Sequence, residues 1–468
     1  MVPSANSATG GGGDSRRWSI ALHVGSIEAH RSLRDDLLAK VKSPSRRRRI
    51  SVTDLTNPRQ SYFKRVHPEI VPTLRQQQFM WSGTGFHEDF QRAVSKEEYV
   101  EQFIEWEGVV GKIDIYEKYP LELKTTGRSF DPVDLPGFRP YYIEQVGMYC
   151  AMTGNDRGHL VIYSRNARGG NGGALRAYEV FFTDIEVIRA EIRKRRDLLV
   201  TALEKNDPSA LPQCSRYGHG CEYEEFCGCG QAKPFSPNIV DALAGIRELP
   251  DMAAAIGEKL RTQPPHPLGL SDLVFPRKAY FKQRVREREV EEEMESMEQQ
   301  GMLQALKSVL FRGSEGGVAK VPVSVGEVRG RVTIYRKLPV LLRTPGFKEP
   351  VDRSRLASVW PHYFERLALE CALSGHERGR LVLYYKNVEA ELGKFLVYEV
   401  GFRDLPGVRA EFEGRAAALK KALETGDFQG LPACPAWMAK SCQFAPGCGC
   451  SGQTTLASAG RQTPSAHR

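Results

Sequence analysis

The sequence predicts an α/β protein made of two tandem copies of one domain, each a mixed sheet flanked by helices and closed by a cysteine cluster. Three observations carry this. The first is an internal duplication with an offset of about 220 residues. TDLTNPR at 53–59 returns as SDLVFPR at 271–277, and Tyr62 and Phe63 return as Tyr280 and Phe281. GKIDIY at 111–116 returns as GRVTIY at 330–335, residues 153–163 match 374–384, and LPQC at 211–214 matches LPAC at 431–434. The second is the alternation of strand-period and helix-period apolar runs within each copy. The third is that eight of the ten cysteines fall in two matching groups, Cys214, Cys221, Cys227, Cys229 and Cys434, Cys442, Cys448, Cys450.

Taken in order, residues 1–16 are rich in Gly and Ser and are expected to be a disordered tail, as are 453–468. Residues 20–41 read as an amphipathic helix. Residues 239–260 have a similar length and place before the second copy, so each unit is expected to begin with that helix. A helix at 85–94 precedes strands at 103–116 and 120–125, then a helix at 140–153 and strands at 158–164 and 176–182. A long basic helix, 183–205, leads into the first cysteine segment. Residues 230–238 and the QPPHP run at 263–267 read as connections. Residues 287–300 form an acid-rich helical excursion. The expected domains are 17–232, a linker and leading helix at 233–268, and 269–452.

Residues 111–124 read GKIDIYEKYPLELK, so that Asp114, Glu122 and Lys124 form a D-x7-E-x-K arrangement. Side chains alternate along a strand, which sends Glu122 and Lys124 to one face and Leu121 and Leu123 into the core. A turn through Glu117, Lys118 and Tyr119 folds the two strands into a hairpin and gathers both carboxylates and the ammonium at one end of the sheet. Such a group suits a divalent cation, which offsets the charge of a phosphodiester and lowers the pKa of water. The plainer alternative is an exposed Glu/Lys pair on a solvated strand. Upstream, GTGFHE at 83–88 opens a helix carrying His87, and downstream Gln145 and Tyr149, four apart, share a helix face.

In that order, His87, Asp114, Glu122, Lys124 and the Gln145/Tyr149 pair resemble the motifs of RecB-like nucleases of the PD-(D/E)XK superfamily. The nearest likeness is to its iron-sulfur exonucleases, including those of CRISPR adaptation. The resemblance implies a restriction-endonuclease-like fold and a Mg2+- or Mn2+-dependent deoxyribonuclease acting on single-stranded DNA ends. It implies that His87, Asp114 and Glu122 hold the metal, that Lys124 positions water, and that Gln145 and Tyr149 support the site and the strand. Its setting would be DNA repair, recombination or CRISPR adaptation, with a helicase or CRISPR integration proteins as partners. There is no G-x-x-x-x-G-K-[ST] loop, so unwinding would fall to another protein. A reading from another class is a non-catalytic nucleic-acid-binding scaffold with structural metal clusters.

The second copy keeps the apolar positions and loses the polar ones. Ile113, Ile115, Leu121 and Leu123 become Val332, Ile334, Val340 and Leu342. His87 becomes Ala305, Asp114 Thr333, Glu122 Leu341, Lys124 Arg343, Gln145 Arg366 and Tyr149 Glu370. It is expected to be a pseudonuclease that serves as a packing partner or, through Arg343 and Arg366, as a DNA-binding surface.

The first residues lack the apolar run of a secretory signal, and no stretch reaches the roughly 20 apolar residues of a membrane helix. The protein is therefore expected to be cytoplasmic, where clustered cysteines read as metal ligands rather than disulfides. Cys150 and Cys371, at equivalent helical positions, read as small buried residues. Four thiolates suit zinc or an iron-sulfur cluster. The resemblance favours 4Fe-4S, with Zn2+ and free thiols as alternatives. It also implies one cysteine before the core and three after, whereas here Asn57 and Phe275 stand near the early position and each copy carries four late cysteines. A net charge of +9 suits a polyanionic partner. Arg46, Arg47, Arg48, Arg49 and Arg59 are the expected DNA contacts.

Overall fold

A computed structural model describes residues 23–42, 49–127, 134–164, 175–218, 220–234, 239–264, 267–284, 290–311, 318–435, 438, 442 and 444–450. The expected tails and Arg46, Arg47 and Arg48 lie outside the described residues. The chain divides into two compact units, a first-copy unit of residues 35–263 with 286–310 and a second-copy unit of residues 1–34, 264–285 and 311–468. Each is a mixed sheet flanked by helices. Among the described residues no helix is long and apolar enough to cross a membrane.

The chain opens with β1 (Val24–Ala29), α1 (Arg31–Val41), β2 (Ile50–Ser51), α2 (Val52–Thr56), α3 (Pro58–Val66) and α4 (Leu74–Val94). Next come β3 (Val100–Trp106), β4 (Val109–Tyr116), β5 (Pro120–Thr126), α5 (Leu135–Phe138), α6 (Pro140–Thr153), β6 (Arg157–Ser164), β7 (Leu175–Phe182) and α7 (Ile185–Lys205). Beyond the first cysteine segment lie β8 (Leu243–Glu248), α8 (Pro250–Arg261), α9 (Pro276–Arg284) and α10 (Val290–Phe311). The rest comprises β9 (Val318–Val325), β10 (Val328–Tyr335), β11 (Leu338–Arg343), α11 (Leu356–Val359), α12 (Pro361–Ser374), β12 (Arg378–Tyr384), α13 (Glu391–Lys394), β13 (Phe395–Phe402), α14 (Leu405–Thr425) and α15 (Ala445–Cys448).

Local signals account for the helix limits. Thr73 and Gln76 form a capping box at the start of α4, which begins earlier than the residue 85 expected from the sequence. Pro140 occupies the first turn of α6, and Gly154 ends it in the left-handed conformation. Asp184 caps α7 by accepting from the Glu186 N–H.

The first-copy sheet has the order β2-β4-β5-β6-β7-β8, with β3 also on β4, and the second-copy sheet the order β1-β13-β12-β11-β10-β9. The parallel pairs are β2 with β4 and β5 with β6 in the first and β11 with β12 in the second, and the other pairs are antiparallel. Glu122 pairs with Leu160 and Lys124 with Ile162 across β5 and β6, while Leu341 pairs with Leu381 and Arg343 with Leu383 across β11 and β12. The duplicated sequence therefore keeps one register. Helix α6 covers β5 and β6, and its Cys150 lies against Gly158, as Cys371 lies against Gly379. Both cysteines are fully buried, as small core residues should be.

The leading segments differ from expectation. Instead of one long helix, residues 24–41 form β1 and α1, and 239–261 form a short 3-10 turn, β8 and α8. Strand β8 pairs with β7 in the first-copy unit, through Val180 and Ile246. Strand β1 pairs with β13 in the second-copy unit, through Ile27 and Val400. Each sheet edge is thus completed by the strand that precedes the other repeat, and the compact units do not follow the boundaries 17–232, 233–268 and 269–452. The reason is that an edge strand needs a partner for its N–H and C=O groups, a demand invisible in helical periodicity. The acid-rich segment also finds its place. Helix α10 belongs to the first-copy unit, where a Cβ at Gly85 would fall 2.0 Å from the Gly301 backbone. Glycine at both positions lets α4 and α10 cross backbone to backbone.

A fully buried ion triad ties α6 to α7. Arg195 Nε donates to Glu191 Oε1 at 3.0 Å, Nη1 to Glu144 Oε2 at 3.2 Å and Nη1 to the Leu55 carbonyl at 3.2 Å. In the second-copy unit Arg415 repeats this with Glu411, with Glu365 at 3.1 Å and with the Leu273 carbonyl. Removing the cation strands two buried carboxylates, so Arg195→Met is expected to lower the stability of the chain by about 3–5 kcal/mol. Urea unfolding of the full chain checks this.

Candidate active site

Strand β4 pairs with β5 only at Ile115 with Leu121 and at Tyr116 with Pro120, so the expected turn at 117–119 is present. Beyond that register the strands part. The Leu123 N–H, left without a ladder partner there, donates to Asp114 Oδ2 at 2.8 Å. Asp114 Oδ1 lies 3.3 Å from His87 Nδ1 on α4 and accepts from Gln91 Nε2 at 2.7 Å. On β5, Lys124 Nζ pairs with Glu122 Oε1 and donates to Gln145 Oε1 at 2.8 Å. Gln145 Nε2 donates to the Tyr149 hydroxyl at 3.1 Å, and that hydroxyl donates to the Lys112 carbonyl at 2.9 Å. All six expected residues therefore share one continuous environment. A Cβ at Gly111 would meet the Tyr149 ring at 2.9 Å, so glycine there lets the ring seat against β4.

Strand β5 is buried on both faces, unlike an exposed Glu/Lys strand. Leu121 and Leu123 pack with Phe86 and Phe90 of α4, and Glu122 is only 4% exposed. This is what parallel pairing under helices on both sides produces. Its electrostatic consequence is a split pair of carboxyls. Burial raises the Glu122 pKa to about 7 against the pull of Lys124, and the negative Asp114 adds to the rise. For Asp114 burial also opposes ionisation, but His87, Lys124 and the Leu123 N–H outweigh it and hold the pKa below its ordinary value.

Gln91, not foreseen in the sequence, belongs to this set. It lies four residues after His87, hence on the same face of α4. Its Oε1 and the Oε2 of Glu122 are buried without a hydrogen-bond partner among the described residues. Two acceptor oxygens facing no donor are what a bound cation would satisfy, and carboxylate oxygens are hard donors of the kind Mg2+ and Mn2+ take. Even so, among the described residues no three or more His, Cys, Asp and Glu side chains are arranged to hold a metal.

The cysteine segments are built alike. Cys214, Cys221, Cys227 and Cys229 line one small cavity with Asn57 and Gln60. The Cys214 N–H donates to Cys229 Sγ at 3.2 Å, and the Cys434 N–H to Cys450 Sγ at 3.3 Å. The hydrogen bond from the Cys214 thiol pulls the Cys229 pKa down to about 6, and the Cys434 thiol pulls Cys450 down to about 5. Arg59 corrects an expectation. It is buried and donates to the Cys227 carbonyl at 2.9 Å and the Ser209 carbonyl at 3.3 Å. It is thus a clamp on the cysteine segment rather than a DNA contact, and Arg277 does the same to the Leu431 and Cys448 carbonyls. A sequence cannot distinguish an arginine that meets phosphates from one that meets carbonyls, because both offer oxygen acceptors to the guanidinium. Arg49 is exposed and pairs with Glu105 at 2.5 Å.

No family model and no curated protein matches the chain. A solved structure titled "Crystal structure of SSO0001" has 17% sequence identity and a TM-score of 0.28, covering 42% of this chain and 94% of that one.

The raised Glu122 pKa sets a pH dependence. Between the ordinary 4.5 and about 7 the unfolded chain ionises Glu122 while the folded chain keeps its proton, so this group's contribution to stability falls as pH rises through that window. Urea midpoints in EDTA at pH 5 and pH 8 are expected to show a smaller decline with rising pH in Glu122→Gln than in the natural chain.

Proposed function

We propose that the first-copy unit is a Mg2+- or Mn2+-dependent nuclease of the PD-(D/E)XK type that hydrolyses DNA phosphodiesters, acting on single-stranded ends. The observation that carries this is the meeting of Asp114, Glu122 and Lys124 at the parted end of β4 and β5, with Glu122 Oε2 lacking a hydrogen-bond partner among the described residues. Asp114, Glu122 and His87 are the residues that would hold the cation. When bound, a divalent cation offsets the negative charge of the phosphodiester and makes water a stronger nucleophile at neutral pH.

The chain's own groups supply the rest. Gln145, braced by Tyr149, holds Lys124 in place, so that its ammonium is oriented before substrate arrives. Lys124 Nζ can donate to the attacking water or to the phosphoryl oxygen that gains charge. Gln91 and the Leu123 N–H fix Asp114 in place, and His87, Lys124 and the Leu123 N–H favour its ionised form. The helices over both faces of β5 exclude bulk water, which strengthens each of these interactions.

The second-copy unit lacks the carboxylates and is the inactive partner in this reading. The cysteine segments are proposed to hold 4Fe-4S clusters, with Zn2+ as the alternative. The four cysteines around one cavity, with the Cys229 thiol held below its ordinary pKa, support metal binding. Cytoplasmic repair, recombination or CRISPR adaptation is the setting proposed.

Nuclease assays on end-labelled single-stranded DNA test the reading. Asp114→Ala and Lys124→Ala are expected to reduce Mg2+-dependent cleavage by about 100-fold or more while keeping DNA binding. Binding without cleavage by the natural chain would favour the scaffold reading. An anaerobic preparation is expected to contain iron and acid-labile sulfide with a broad visible absorption. A colourless preparation rich in zinc would replace the cluster assignment and leave the nuclease reading in place.

A further inference from the structure

The second-copy unit keeps the architecture of the site and inverts its charge. Where the first copy sets two carboxylates, Asp114 and Glu122, against one ammonium, the second sets two guanidiniums, Arg343 and Arg366, against one carboxylate, Glu370. Thr333 and Leu341 stand where the first copy has its acids. The two arginines are differently placed. Arg366 on α12 donates from Nε to Glu370 Oε1 at 2.7 Å and from Nη1 to the Ser271 hydroxyl at 3.0 Å. Arg343, at the end of β11, donates to the Leu342 carbonyl at 2.9 Å, and its guanidinium stands 5.6 Å from the centre of the Tyr363 ring. Among the described residues no carboxylate forms an ion pair with it.

A half-buried guanidinium without an ion-pair partner is costly, because burial removes water and the one neighbouring carboxylate, Glu370, is paired with Arg366. Burial, and then the neighbouring Arg366, pull the Arg343 pKa down to about 10, against the opposing attraction of Glu370. Arg343 nonetheless occupies the register position of Lys124, beside Leu383 of β12. Planar guanidiniums pair with phosphate through paired N–H groups, and two arginines with one carboxylate, Glu370, paired to Arg366, leave one positive charge to offset.

We propose that the second-copy site binds a phosphate group through Arg343 and Arg366, with the Tyr363 ring as its wall. The cation site of the first copy has here become an anion site. This goes beyond the nuclease reading and does not depend on it. The ligand is a phosphodiester of a nucleic-acid strand or a small phosphate, and the two share this chemistry.

The test uses the full chain in EDTA, so that cleavage plays no part. Modification of arginines by phenylglyoxal is followed residue by residue by mass spectrometry, with inorganic phosphate or a short oligothymidylate added and with exposed Arg378 as the reference. Either ligand is expected to slow modification of Arg343 and Arg366 relative to Arg378. Protection at the lower concentration by oligothymidylate assigns a strand phosphate, and by inorganic phosphate a small ligand. Arg343→Met and Arg366→Gln are each expected to weaken binding of the protecting ligand at least tenfold. For the oligonucleotide, each should also make the dependence of log affinity on log salt shallower by about 0.7. Equal modification of Arg343 with and without both ligands overturns the proposal, and needs no variant to fold. So do folded variants whose affinity is unchanged. Absence of cleavage in Mg2+ by a chain that shows the protection would count against the nuclease reading alone.

Discussion

The buried pairing of Arg195 with Glu144 is the constraint on which the site depends. It fixes the rotation of α6 about its own axis, because Glu144 must face α7 and the Leu55 carbonyl. Gln145, one residue on, is then turned toward β5, and Tyr149, one turn further, toward the Lys112 carbonyl. Lys124 is held by Gln145, and Glu122 by Lys124. A chain of single contacts thus runs from a fully buried ion triad to the parted strands. Arg415 and Glu365 rotate α12 in the same way, so the second copy keeps its scaffold although its polar residues differ.

What the two sites do with that scaffold is set by a few side chains. In the first copy the parting of β4 from β5 leaves the Leu123 N–H for Asp114, and the neighbouring acids are pushed apart in pKa, one below its ordinary value and the other up to about 7. Two like charges in one enclosed space cannot both be comfortable, and a cation, where one binds as proposed, would relieve the conflict. In the second copy the conflict has the opposite sign, between Arg343 and Arg366.

The duplication also shaped the units as wholes. Strands β1 and β8 complete the sheet of the repeat that each does not introduce. The clamps Arg59 and Arg277 reach from the Pro-Arg turn of α3 and α9 to the carbonyls of the cysteine segments, tying parts of the chain that lie 168 and 171 residues apart. The repeated PR motif, so visible in the sequence, is therefore structural.

Much of this was legible in the chain alone. Helices at 140–153 and 183–205, the hairpin around 117–119 and the strands about 160 and 180 follow from apolar periodicity and turn residues, since those are local signals. The grouping of Asp114, Glu122 and Lys124 was legible too, because strand alternation and the turn fix which side chains share a face, while His87, Gln145 and Tyr149 were tied to them only by the family resemblance. Tertiary structure alone decided the rest: that Glu122 is buried, that Gln91 joins Asp114, that Arg59 serves carbonyls, and that β1 and β8 exchange sheets. Each of these depends on which surface arrives from a distant part of the chain to cover a group or complete an edge, and pairing across such distances leaves no periodic trace in the sequence.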